Sequence, residues 1–228
     1  VTGRPRRLIV VFGTATDIGK TWVGCRLLEA ARHAGLTVAA RKPAQSFAPS
    51  LPMVDTGIGT DRRQWGSAPA GTDAEMLAAA TGERPTDVCP AHRWYPLALA
   101  PPMAATRLGL PDIAIDDLVA EISWPEGLDI GLVETAGGPR SPIAHDADGV
   151  ALAARLHPDL AVLVADAALG TISAVRLAVG AIAPTPVVVV LNRFDPADAL
   201  HADNLRWLRD VDGLDVTTEP AAVLSALD

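Results

Sequence analysis

Leu8-Ile9-Val10-Val11-Phe12-Gly13-Thr14-Ala15-Thr16-Asp17-Ile18-Gly19-Lys20-Thr21 runs from an apolar segment into a glycine-bounded loop, and its reading decides the fold. Leu8–Phe12 has the composition of a buried strand. Past the loop, Trp22, Val23, Leu27, Leu28 and Ala31 recur at roughly helical spacing. A loop between a strand and a helix N-terminus aims backbone N–H groups at phosphate oxygens. In such a loop Lys20 reaches the β- and γ-phosphates of a nucleotide triphosphate, and the Thr21 hydroxyl holds Mg²⁺. The usual phosphate loop has four residues between its first glycine and Gly-Lys-Thr. Here five intervene, Thr14 to Ile18. Gly13, Thr14, Asp17, Ile18, Gly19, Lys20, Thr21 and Trp22 are the candidate nucleotide-binding residues of this stretch.

Strand-like runs recur along the rest of the chain. Val38–Arg41 ends at Lys42-Pro43, Ile130–Val133 at Glu134, Leu160–Ala165 at Asp166, and Val187–Leu191 at Asn192. Each is apolar on both faces, as parallel strands covered by helices are. Helical segments are expected over Asp73–Ala80, Asp116–Ile122, Gly149–Leu156, Thr171–Ile182 and Ala199–Leu208. Alternation of this kind predicts an α/β fold, a parallel β-sheet flanked by helices on both faces, within a single domain over residues 1–228. In open parallel sheets the ligand crevice lies beyond the carboxyl ends of the strands. Gly13, Lys42, Glu134, Asp166 and Asn192 therefore converge on one edge. Residues 47–72, rich in Pro, Gly and Ser, read as a long loop.

With 228 residues, 49% hydrophobic and 20% charged, the chain has the composition of a globular protein. A net charge of −8 argues against a nucleic-acid partner. The one basic cluster, Arg4, Arg6 and Arg7, reads as a solvated tail. Cys25 and Cys89 lack metal-ligand spacing and suggest no disulfide framework; Cys25 reads as a buried small residue of the first helix. No apolar stretch is long enough for a membrane span, and the first residues lack a signal-peptide core, so a cytoplasmic location is expected.

Several ordered motifs over roughly residues 8–200 resemble the dethiobiotin synthetases, a phosphate-loop family. The loop Gly13–Thr21 is similar to that family's own, which carries the same extra residue. Arg41-Lys42-Pro43-Ala44-Gln45-Ser46 resembles its second-strand motif, and Gly71-Thr72-Asp73-Ala74 the acidic helix start that follows. Val133-Glu134-Thr135-Ala136-Gly137-Gly138 resembles a Val-Glu-Gly-Ala-Gly-Gly segment, with Thr135 in place of the usual glycine. Leu169-Gly170-Thr171-Ile172 and Asn192 match two later positions. Ser173 stands where asparagine is usual and Phe47 where glycine is frequent.

The resemblance implies conversion of 7,8-diaminononanoate, CO₂ and ATP to dethiobiotin, ADP and phosphate. One amine takes up CO₂ as a carbamate, ATP phosphorylates it, and the second amine closes the ureido ring and expels phosphate. Such chemistry gathers negative charge and needs fixed cations and N–H donors. Lys20 and Lys42 would supply the cations, with Thr16 and Ser46 hydrogen-bonding the diamine or carbamate. Thr21, Asp73 and Glu134 would be the Mg²⁺ ligands. Ser46, Thr135, Ala136 and Gly137 would line the substrate. Gly170, Thr171, Ile172 and Ser173 would receive its carboxylate at a helix start. That last contact comes from the partner subunit in the family, so a homodimer is implied, and Asn192 would bond the base. Two alternatives stay open: a diverged paralogue acting on another substrate, and a ParA- or MinD-like switch ATPase. The phosphate loop of such ATPases usually carries an early extra lysine, where this chain has Thr14, Ala15 and Thr16.

Overall fold

The computed structural model describes residues 3–48 and 71–227. Its frame is laid down by β1 (Arg7–Gly13), whose side chains alternate between two cores. Ile9 and Val11 pack with Val23, Leu27 and Leu28 on one face. Leu8, Val10 and Phe12 pack with Leu152, Val175 and Ala178 on the other. A strand buried on both faces cannot lie at a solvated surface, so the sheet takes helices on each side.

In chain order β1 is followed by α1 (Lys20–His33), β2 (Val38–Arg41), β3 (Gln45–Ser46), α2 (Asp73–Thr81), α3 (Pro85–Val88), β4 (Trp94–Tyr95), α4 (Pro101–Arg107), α5 (Ile115–Glu121) and β5 (Ile130–Glu134). Then come α6 (Gly149–Leu156), β6 (Leu160–Asp166), α7 (Thr171–Ile182), β7 (Val187–Asn192), α8 (Ala199–Arg206) and β8 (Asp215–Thr217). The main sheet is six-stranded, all parallel, in the order β2-β5-β1-β6-β7-β8. Its strands all end at one edge, where Gly13, Lys42, Glu134, Asp166 and Asn192 gather as expected.

The long strands and helices agree with the expected segments to within a residue or two. Other elements were not anticipated. β3 and β4 form a separate two-stranded parallel pair, too short to show periodicity. β8 adds a sixth strand to the main sheet, and a 3₁₀ segment at Pro220–Leu227 packs against α1. The arginine cluster is corrected in part. Arg6 and Arg7 donate their backbone N–H groups to the Leu128 and Asp129 carbonyls at 2.9 and 2.8 Å, because β1 begins at Arg7. Arg4 pairs with Asp159 at 3.1 Å. Most of the expected 47–72 loop lies outside the described residues. No helix among those described is long and apolar enough to cross a membrane.

Candidate active site

The loop between β1 and α1 is shaped by its glycines. A Cβ on Gly13 would meet Ile18 Cγ2 at 2.7 Å and the Ala15 carbonyl at 2.8 Å. Gly19 caps α1 at φ +94°, and a Cβ there would overlap the Asn192 amide nitrogen. Both positions therefore demand glycine. The buried Lys20 folds back over the loop, its Nζ 3.3 Å from the Ala15 carbonyl. Burial lowers its pKa, with Glu134 pulling the other way.

Beside it, four elements bring four polar side chains together. The Lys42 ammonium, one residue past β2, lies 2.5 Å from Glu134 Oε1 at the tip of β5 and 2.5 Å from Asp73 Oδ2 at the start of α2. The Thr21 hydroxyl lies 2.8 Å from Asp73 Oδ1 and 3.0 Å from Glu134 Oε1; its single proton serves one carboxylate at a time. Full burial raises the Glu134 pKa, although Lys42 opposes this. For Lys42, burial alone would lower the pKa, but Glu134 and Asp73 outweigh it and hold the ammonium charged. Asp73 resists its own burial through the charge and hydrogen bond of Lys42, and its pKa falls.

This donor set fits a hard divalent cation. Two carboxylates and a hydroxyl offer oxygen ligands next to a phosphate cradle. Glu134 Oε2 is buried with no hydrogen-bond partner among the described residues, an orphaned acceptor that a cation would satisfy.

The remaining candidates divide into two groups. Ser46 is half-buried near this cluster in sequence, and its hydroxyl has no hydrogen-bond partner among the described residues. Thr16 faces the Gly137 turn: a Cβ on Gly137, at φ +60°, would lie 3.9 Å from Thr16 Oγ1 and would overlap Ser141 Oγ. Ala136 and Gly137 are half-buried on the same turn. Thr14 and Asp17 lie on the phosphate loop, half-buried and exposed respectively, and Trp22 is exposed at the start of α1. Thr135 is different. It is fully buried, and its hydroxyl donates to the Val11 carbonyl at 3.0 Å, toward the sheet. Gly170, Thr171, Ile172 and Ser173 open α7 and are joined to the carboxylate cluster by no hydrogen bond or ion pair among the described residues. The Thr171 hydroxyl there is buried without a partner among the described residues, while Ser173 is exposed. Asn192 turns its amide nitrogen onto the Ile18 carbonyl at 2.8 Å, so it touches the phosphate loop directly.

Sequence reading gave no role to two residues here. Gln45 is buried, and its Oε1 accepts from the Ala74 N–H at 3.1 Å, fixing the first turn of α2 and so Asp73. A glutamine in an otherwise buried stretch was the available signal. Arg193 donates to the Asp17 carbonyl at 2.8 Å. No local pattern announces that contact, which spans 176 residues.

A parallel sheet with a Gly-Lys-Thr cradle at the end of its interior strand β1, and carboxylates at the neighbouring tips, defines a phosphate-loop nucleotide-binding protein. A family model described as an AAA domain matches residues 7–219. The ATP-dependent dethiobiotin synthetase BioD of Caulobacter vibrioides is 41% identical over 72% of this chain and 68% of its own length. That of Rhodococcus jostii is 35% identical over 92% of this chain and 84% of its own. The chain belongs to the dethiobiotin synthetase family. Among solved structures, chloroplast FtsY from Physcomitrella patens matches with a TM-score of 0.51 at 17% identity. The match covers 95% of this chain, which spans only 58% of the FtsY chain, and the likeness is one of fold.

Proposed function

We propose that the protein is an ATP-dependent dethiobiotin synthetase, a ligase that builds the ureido ring of dethiobiotin from 7,8-diaminononanoate, CO₂ and ATP. The observation that carries this reading is the meeting of Lys42, Glu134, Asp73 and Thr21 beside the Gly13–Thr21 cradle, in a chain 34–41% identical to synthetases of this family.

The roles follow from charge. Loop N–H groups and Lys20 hold the triphosphate. Thr21, Asp73 and Glu134 would hold Mg²⁺, which when bound neutralises phosphate charge and orients the terminal phosphoryl group. Lys42, held charged between Asp73 and Glu134, would direct its protons toward the carbamate and γ-phosphate. One substrate amine bonds to CO₂ and loses a proton, giving the carbamate. A carbamate oxygen attacks the γ-phosphorus, ADP leaves, and a carbamic–phosphoric anhydride forms. The second amine attacks the carbamate carbon and loses a proton to solvent, phosphate departs with the bonding pair, and the ring closes. Negative charge grows on oxygen at each step, and fixed cations that need no reorganisation stabilise it. Thr16 and Ser46 bond the diamine or carbamate, while Ala136 and Gly137 let backbone approach the substrate.

The working unit in this reading is a homodimer in which Gly170, Thr171, Ile172 and Ser173 of one subunit complete the other's substrate site. Leu169 and Leu177 at this helix are 87% and 75% exposed, apolar surface that a second copy would cover. Light scattering at micromolar concentration should give twice the chain mass.

Incubation with diaminononanoate, bicarbonate, Mg²⁺ and ATP should release phosphate and dethiobiotin only when the diamine is present. Phosphate release independent of the diamine would overturn the assignment and favour a switch ATPase.

A further inference from the structure

Two consecutive residues at the end of β7 reach across to the phosphate loop. Asn192 Nδ2 donates to the Ile18 carbonyl and Arg193 Nη2 to the Asp17 carbonyl, each at 2.8 Å. The loop section they hold belongs to the five residues between Gly13 and Gly19, and Asp17 there has a left-handed backbone at φ +56°. Arg193 itself adopts φ +56°, which bends the chain off the strand; its Nη1 lies 3.5 Å from Asp166 at the end of β6. The guanidinium thus spans from one strand tip to the loop.

The trans peptide makes these contacts directional. In a planar trans unit the carbonyl of one residue and the N–H of the next point opposite ways. Pulling the Asp17 carbonyl toward Arg193 turns the Ile18 N–H away from β7. Pulling the Ile18 carbonyl toward Asn192 does the same to the Gly19 N–H. Consecutive N–H groups aimed one way form an anion-binding concavity. A loop with an additional residue has an additional peptide plane to orient.

We infer that Arg193 is a positioning residue for the phosphate cradle: by holding the Asp17 carbonyl it presents the Ile18 N–H, and next to it the Gly19 N–H, to the β- and γ-phosphates of the nucleotide. The inference rests on the nucleotide-site reading above and adds a residue to it. The Arg193 side chain is 61% exposed, so removing it opens no core cavity and the fold should tolerate the change.

The test is calorimetric titration of Mg²⁺·ATP, Mg²⁺·ADP and AMP into wild type, Arg193→Ala and Arg193→Lys. Arg193→Ala should bind ATP and ADP about tenfold more weakly, the scale of one lost hydrogen bond from a charged donor. Its AMP affinity and its nucleotide-free Tm should stay at wild-type values, and Arg193→Lys should recover part of the loss. Wild-type ATP affinity in Arg193→Ala would overturn the inference alone. An equal loss for AMP would also overturn it, placing the arginine at the base or sugar. Failure of the wild type to bind ATP would instead remove the nucleotide reading itself.

Discussion

Lys42 Nζ and Glu134 Oε1 lie 2.5 Å apart with both side chains out of water, 4% and 0% exposed. The backbone sets that distance. β2 and β5 are adjacent parallel strands with Arg41 opposite Val133, so Lys42, one residue past β2, leaves its strand beside Glu134 at the tip of β5. The pair is therefore a product of strand pairing as much as of charge attraction. Taking either charge alone out of water would be costly, and each makes the other's ionised state tenable.

Lys42→Ala should lose about a hundredfold in turnover, ~3 kcal/mol, as for other donors removed from developing oxyanions. It also leaves Glu134 buried without its cation, at a stability cost of about 3 kcal/mol or more. Phosphate-release kinetics and urea unfolding read the two effects separately. Near-unchanged turnover would reduce Lys42 to a structural partner of Glu134.

Glu134→Gln should keep Lys42 paired with Asp73 while replacing a charged carboxylate ligand with a neutral amide oxygen. The Mg²⁺ concentration for half-maximal activity should rise at least about tenfold, one ligand's contribution to a site of this kind. Titration of activity against Mg²⁺ at saturating ATP measures it. An unshifted midpoint would place the metal elsewhere.

Acid stability should depend on Asp73. Its carboxyl pKa lies below the ordinary 3.8 in the folded chain, because Lys42 and Thr21 outweigh its burial. A lowered folded pKa stabilises the fold above the unfolded value, and that contribution is lost as pH falls from 3.8 through the folded value. Urea midpoints of wild type and Asp73→Asn, compared from about pH 6 to about pH 2, should converge at the acid end. A constant gap across that range would contradict the coupling.

Thr135→Val should cost about 1 kcal/mol of stability, the worth of the hydrogen bond to the Val11 carbonyl, and leave the KM for the diamine unchanged. A raised KM with unchanged stability would return Thr135 to the substrate, where the family resemblance puts the residue at this position.

The frame was legible in the sequence because its long strands are apolar on both faces, a pattern solvated strands lack. Lys42, Asp73 and Glu134 could be found for a related reason: each is a polar residue closing an apolar run or opening a helix. β3, β4 and β8 were not legible, since two or three residues carry no period. Thr135 and Asn192 mark a different limit. Sequence put both at strand tips, but whether a side chain turns toward the crevice or back onto a carbonyl depends on the neighbouring strand. Arg193 was invisible for the same cause, and Gln45 stood out only as a polar residue in a buried stretch, since the partners of both are set by tertiary packing.

The strand order has a consequence in time. β5 lies between β2 and β1, yet each of its residues paired with β2 comes 92 positions later in the chain. During synthesis, the Gly13–Thr21 loop and Lys42 emerge long before Glu134 does. Until β5 slots between them, β1 and β2 have no shared ladder, and the lysine has no buried partner. Long-range pairing of this kind closes slowly and late. A truncated or nascent chain stopping before Ile130 would thus carry the phosphate loop without the residue opposite it, and its first two strands would present unpaired edges to whatever chaperone or neighbour lies nearby.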